Sequence, residues 1–409
     1  MTHADARMIA EFFDDLGRIG IDPAVGFSRL AFGEAEREAH ALFESQLEQY
    51  GLQTYTDAVG GSYGILPGKE DLPALITGSH LNTVYSGGNF DGAAGVAAAV
   101  EVARIFAGQE ELARTLRVVA FAGEEVARFG ATCMGSRLMT GAYTAETLRT
   151  LVDRDGTTAF EAATTVGLTP QDASSARWNS DDVVCFVEVH IEQGRVLEAR
   201  DREIGIVHSI GGSTRVELVF AGRADHSGAT PMWLRKDALA AAAEYVLMVE
   251  SRAKAHATTV TTVGRLDVSP NSMTTVAGSV LIQLDVRDID SERQRDLAED
   301  LLDDATRIAA GRDIKLTARP ASDQSPVVLH GTVQTVATQR QGIPFLSMPS
   351  GASHDAAHIA KHVATGMAFV PCREGISHSP EEHAEPRHIA TAVDVVVEAF
   401  RAIDGGFRV

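Results

Sequence analysis

The chain has 409 residues, 44% of them hydrophobic and 22% charged, an ordinary globular composition with apolar material for about two or three domains. A net charge of −20 offers no basic field to phosphates, which excludes nucleic acid and anionic membrane surfaces as expected partners. No stretch approaches the ~18 apolar residues of a membrane span, and Met1 to Asp15 lacks the basic-then-apolar pattern of a signal peptide, so a cytoplasmic enzyme is expected.

In chain order, Glu34 to Tyr50 reads as an amphipathic helix with Ala39, Leu42, Phe43 and Leu47 on one side. Three short apolar runs follow, each ending in polar residues. Leu75 and Ile76 lead to His80, Leu116 to Gly123 leads to Glu124-Glu125, and Val183 to Val189 leads to His190. An Ala-rich helix from Gly92 to Phe106 follows the first run. Buried strands alternating with helices predict an α/β fold: a three-layer catalytic domain around a mixed sheet with much parallel pairing.

The rhythm changes near Gly211-Gly212. A strand (214–220), a helix (234–254), two strands (259–268 and 279–287), a helix (291–310) and a strand (314–319) give the order β-α-β-β-α-β of a ferredoxin-like unit. After Ser325-Pro326 the earlier style returns, with a helix near 352–362, a strand at 367–370 and a last helix from about Arg387. The expectation is one discontinuous catalytic domain, 1–210 with 326–409, and an inserted α+β domain over 211–325.

The polar residues fall where an open α/β sheet binds ligands, at the carboxyl ends of strands. His80, Glu124-Glu125 and His190 end three runs, Asp91 opens a helix after Gly87-Gly88-Asn89-Phe90, and His378 lies in the loop Gly375 to Pro380. Singly, each has a plain explanation: a surface histidine, an N-cap, a solvated acidic pair. Their coincidence at one sheet edge points to imidazole and carboxylate ligands suited to Zn²⁺ or Mn²⁺. Such ions lower the pKa of water towards ~7 and polarise a carbonyl, while the carboxylate of the Glu pair not used as a ligand can move protons. The sequence contains no phosphate-binding G-x-x-x-x-G-K-[ST] loop. Cys133, Cys185 and Cys372 form no C-x-x-C pair and read as buried, inert thiols.

Longer strings carry a family resemblance. Gly78-Ser79-His80-Leu81-Asn82-Thr83-Val84 with Gly87-Gly88-Asn89-Phe90-Asp91-Gly92 resembles the metal-site signature of the dinuclear aminoacylase and carboxypeptidase superfamily. The branch resembled is the hydantoinase/carbamoylase group, with N-carbamoyl-L-amino-acid hydrolases, β-ureidopropionases and allantoate amidohydrolases. Its further strings are Glu124-Glu125 with Arg128 to Thr132 and Gly135-Ser136-Arg137, His190-Ile191-Glu192-Gln193-Gly194, Asp225 to Met232, Ser350 to Ala356, and Gly375 to Glu382.

The resemblance implies two divalent ions per subunit, Zn or Mn with Co or Ni as further options, held by His80, Asp91, Glu125, His190 and His378, with Asp91 bridging. It implies Glu124 as general acid/base and His226 as oxyanion stabiliser. Gln193, His226, Asn271, Arg287, Gly351 and Ala352 would hold a small carboxylate-bearing substrate, Arg287 through its two-pronged fork. The insert would serve as lid and homodimer interface. The activity implied is hydrolysis of a carbamoyl or ureido C–N bond; the rivals are an aminoacylase, dipeptidase or hydrolase of another C–N bond on the same scaffold, or a weakened, ligand-binding relative. That last rival arises because Asn82 stands where the family has Asp. The Asp is expected to accept the second ring N–H of His80, and losing such support typically costs ~10–100-fold in metal affinity or activity. Ser353 also stands where many relatives have Gly.

Overall fold

The computed structural model describes residues 3–109 and 112–408, so residues 1–2, 110–111 and 409 of the expected catalytic domain lie outside the described residues. The chain divides into two compact units, Met1–His208 with Val328–Val409, and Ser209–Val327. Sequence reasoning put these breaks at the glycine pair and at Ser325-Pro326; in the structure they fall within or beside strands Ile204–Ile210 and Val327–Val328.

The larger unit is built on a nine-stranded mixed sheet. Its centre is four neighbouring parallel strands, in the order Thr365–Val370, Val183–Ile191, Ala74–His80 and Leu116–Phe121. Antiparallel strands flank them, Ser62–Leu66 beside Leu116–Phe121 and Ile204–Ile210 beside Thr365–Val370. The central strands are covered on both faces, which explains why their sequences are continuously apolar instead of alternating. On one face, helices Ala6–Leu16, Glu34–Gln49, Ala93–Gln109 and Pro386–Asp404 supply the main core, with Phe12, Phe43, Val96, Val393 and Phe400 buried against Leu75, Val118 and Val187. On the other face, Phe121, Trp178 and Phe186 pack edge-on or tilted as an aromatic cluster. Three layers result.

Small residues set how closely the layers approach. A Cβ on Gly95, in the Ala-rich helix, would lie 2.0 Å from the Val189 carbonyl and 2.6 Å from the Ser79 side chain. The helix therefore rests almost directly on the backbone of the sheet.

The smaller unit carries strands Gly212–Ala221, Val260–Ser269, Ser279–Asp288 and Lys315–Gln324 with helices Ala238–Ala253 and Ser291–Gly311. In chain order of its strands the sheet runs 2-3-1-4, all antiparallel, with both helices packed on it around Phe220, Tyr245, Ile282 and Leu301. This is the ferredoxin-like arrangement. Among the described residues, no helix is long and apolar enough to cross a membrane.

Candidate functional site

The parallel strands bring their carboxyl ends to one edge of the larger unit. His80 ends its strand opposite Phe121, and His190 sits opposite Phe369 one strand away. Beyond Phe121 the chain turns at Gly123, whose φ of +64° suits glycine, and presents Glu124 and Glu125. Asp91 precedes Gly92, which has φ +63° and where a Cβ would lie 2.4 Å from the His80 ring. Only glycine lets the Asp91 segment come this close to His80.

The five expected ligands meet. Asp91 Oδ1 lies 3.1 Å from His190 Nε2 and 3.8 Å from His80 Nε2, while Asp91 Oδ2 lies 3.2 Å from His378 Nε2. His378 Nε2 is also 3.4 Å from Glu125 Oε1. Two donor groups follow, His80/Asp91/His190 and Asp91/Glu125/His378, each with donor atoms within 4.8 Å of one another and Asp91 in both. Glu124 Oε2 stands 3.7 Å from His80 Nε2. Asp91, Glu124, Glu125, His80 and His190 are buried; His378 is half exposed.

The ring orientations bear on whether this set fits a cation. His80 Nδ1 faces the carbonyl oxygen of Asn82 at 3.1 Å, and His190 Nδ1 faces that of Ile191 at 2.9 Å. With Nδ1–H donating there, each Nε2 carries a lone pair aimed at a carboxylate oxygen. Two acceptors facing each other in a buried site repel unless a proton or a cation lies between them. Mixed imidazole nitrogen and carboxylate oxygen is the donor chemistry of Zn²⁺ and Mn²⁺, and the residues fit two such ions.

Electrostatics agree with a crowded, anionic pocket. Burial pushes the Glu124 carboxyl well above the usual range, reinforced by the neighbouring charges of Glu125 and Asp355 and opposed by the Cys133 thiol. Burial also raises Glu125, against the His378 bond. Burial lowers His80 to about 4, against the pull of Asp91. For His190 burial works in the same direction, but the Asp91 bond and charge outweigh it and raise the ring to about 9.

Side chains that sequence reasoning left out hold Glu124. Glu36 Oε1 accepts the Gly123 N–H at 2.7 Å, and the buried Cys133 thiol donates to Glu124 Oε1 at 3.0 Å. All three cysteines are buried and unpaired, as expected, but Cys133 is in contact with the site. Glu188 was also missed. Its oxygens accept the Ser79 hydroxyl at 2.7 Å and the Ala356 N–H at 2.9 Å, and His354 Nε2 pairs with Ser350 at 2.8 Å. Glu188, His190 and His354 are thus close enough to hold an ion, but they are already committed as a polar layer under His190. An acid inside the apolar run 183–191 was the available signal.

The expectation for Asn82 needs correction. Its side chain does not serve His80; its backbone carbonyl does, and any residue supplies that. The side-chain Oδ1 instead accepts the Glu124 N–H at 3.0 Å, while Nδ2 is buried with no hydrogen-bond partner.

The expected substrate residues divide between the units. Gln193, with φ +58°, donates from Nε2 to Asp91 Oδ2 at 2.8 Å and to Ser377 at 3.3 Å, so its amide nitrogen is turned onto a metal-ligand candidate. Gly351 and Ala352 lie in the turn after Phe345–Ser350, with the Ala352 N–H on Ser350 Oγ at 3.1 Å; His354 just beyond packs edge-on against His190. His226, Asn271 and Arg287 lie in the smaller unit. His226 Nδ1 accepts the N–H groups of Gly228 and Ala229 at 3.1 and 3.2 Å, which leaves Nε2 to carry the proton on an exposed ring. Asn271 is exposed with φ +54°. Arg287 gives Nε and Nη2 to Asp285 at 3.0 and 2.9 Å, so this edge of its fork already grips a carboxylate.

The sequence profile of peptidase family M20/M25/M40 matches residues 66–402. The chain belongs to this family. Within it, the chain is 38% identical over 387 residues to N-carbamoyl-L-amino acid amidohydrolase of Geobacillus stearothermophilus, covering 93% of this chain and 94% of that one. It is 33% identical to allantoate amidohydrolase of Escherichia coli, with 95% of each covered. A crystal structure of a hydantoinase/carbamoylase family amidase from Burkholderia multivorans superposes with a TM-score of 0.92 at 30% identity, over 100% of this chain and 99% of that one. This M20 chain thus groups with amidases and carbamoylases.

Proposed function

We propose that this M20 chain is a metal-dependent amidohydrolase that cleaves a carbamoyl or ureido C–N bond in a small carboxylate-bearing substrate. The observation that carries the reading is Asp91, shared between two imidazole–carboxylate groups with Glu124 at their side. The kinship with amidohydrolases of carbamoyl-amino acids and allantoate supports a non-peptide bond.

His80, Asp91 and His190 would hold one divalent ion and Asp91, Glu125 and His378 the other, zinc or manganese by donor type, with cobalt or nickel also compatible. Bound there, the ions supply Lewis-acid polarisation of the carbonyl and a water of lowered pKa. Glu124 takes the proton from the attacking water. Its carboxyl, raised by burial and by Glu125, then returns that proton to the leaving nitrogen, which departs poorly unprotonated. His226, with Nε2 as donor, stabilises the oxyanion. Gln193, Asn271 and Arg287 with the backbone at Gly351 and Ala352 orient the substrate, Arg287 exchanging part of its Asp285 contact for a substrate carboxylate. The smaller unit acts as lid and homodimer surface, and the free thiols suit a cytoplasmic location.

The test is a panel of N-carbamoyl, ureido, N-acyl and dipeptide substrates assayed with added Zn²⁺, Mn²⁺ or Co²⁺. Turnover of carbamoyl or ureido compounds is expected. Cleavage restricted to acyl compounds or dipeptides overturns the substrate class.

A further inference from the structure

The loop carrying His378 and the turn carrying Asp91 are joined by a residue that is not itself a ligand. Glu382 is buried, and its carboxylate accepts four bonds. Oε1 takes the backbone N–H of Phe90 at 2.9 Å and of Asp91 at 2.8 Å. Oε2 takes the Ser377 hydroxyl at 3.1 Å and the backbone N–H of His378 at 3.2 Å. That uses the whole accepting capacity of a carboxylate. The two segments lie far apart in sequence, Ser377 being 286 positions from Asp91, so no local structure fixes their separation.

His378 needs such fixing. Its φ is +57°, a left-handed backbone that is unfavourable for a non-glycine residue, and its side chain is 48% exposed. Packing alone holds it weakly. Room for the strut is made on the opposite side, where a Cβ on Gly88 would lie 2.4 Å from the Glu382 side chain.

We propose that Glu382 is a positioning residue that sets the Asp91-to-His378 spacing and so builds the second ion site, Asp91/Glu125/His378, before any ion binds. This rests on the two-ion reading above, and the experiment separates the two. In E382Q the amide can still accept on one side, but its NH₂ meets the His378 N–H or those of Phe90 and Asp91, donor against donor. Ion stoichiometry and affinity are measured by Zn²⁺ titration of chelator-treated full-length protein, alongside amide hydrogen exchange in the metal-free state. The wild type is expected to bind two ions. E382Q should keep the His80/His190 ion and bind the second about 10–100-fold more weakly, with faster exchange at Asp91 and His378 without metal. G88A, which displaces the carboxylate while keeping its charge, should give the same selective loss and stands in if E382Q does not fold. A wild type with fewer than two ions sinks the two-ion reading, and the exchange data then decide the strut alone. Unchanged exchange at both amides in E382Q and G88A, or wild-type affinity for the second ion, overturns the proposal.

Discussion

Asn82→Ala separates two roles that the sequence alone merged. The substitution leaves the Glu124 N–H buried without its acceptor, which costs about 1–3 kcal/mol, and deletes Nδ2, a buried donor with no partner, which returns a similar amount. What remains is a cavity of a few atoms, about 1 kcal/mol, so Tm should fall by about 2–4 °C. Catalysis has no such compensation. Glu124 loses one of its backbone anchors, a net bond of about 1–1.5 kcal/mol, and kcat should drop about 5–10-fold with KM little changed. Metal affinity should move by less than about threefold, under 1 kcal/mol, since the Asn82 carbonyl still receives His80 Nδ1. Calorimetry, steady-state kinetics at saturating metal and chelator competition read the three quantities. A 10–100-fold loss of metal affinity with kcat preserved would show that the side chain supports His80 after all.

Further outcomes are expected. Glu124→Gln should lower kcat by about 10²–10⁴ while both ions stay bound, as seen by metal analysis of the purified variant. Cys133→Ala removes one donor to Glu124 and should cost only a few-fold in kcat, about 1 kcal/mol, with no change in metal content; a loss as large as that of Glu124→Gln would mean the thiol does more than orient. Removing metal with a chelator should lower Tm, because Asp91, Glu124 and Glu125 are left buried together, and adding Zn²⁺ or Mn²⁺ should restore it. Glu36 gives a pH signature. Burial raises its carboxyl to about 7, against the N–H groups of Gly123 and Phe32, whereas the unfolded chain has about 4.3. A raised folded-state value gives stability that is full below about pH 4 and is lost as pH rises through about 7. Glu36→Gln should lack that part of the slope between pH 4 and 7 in denaturant titrations.

The sequence displays the site's floor and hides its supports. His80, Glu124-Glu125 and His190 stand out because the central parallel strands are mostly apolar and gather their chemistry-bearing residues at the edge where ligands bind. Asp91 is marked by the glycine turn before a helix. The sequence of strands and helices in the smaller unit is legible from its patterning, while the order of the strands in the sheet is not. By contrast, Glu36 and His40 lie on the buried face of an amphipathic helix where leucine and alanine were expected, and nothing local says that Glu36 meets Gly123. Glu382 closes a motif string, yet its four bonds exist only after distant segments meet. Asn82 was visible as a departure but was assigned the wrong partner, since spacing along a chain does not say which atom of a residue points where.

The contact of the Ala-rich helix with the sheet at Gly95 has a bearing on how such catalysts diversify. Where backbone lies on backbone, there is no side chain to trim or enlarge, and the cradle for the ions cannot be reshaped by ordinary substitution. New preferences among nitrogen compounds must therefore arise from the turns at the strand ends, leaving the helix and sheet that carry the ligands as a fixed chassis.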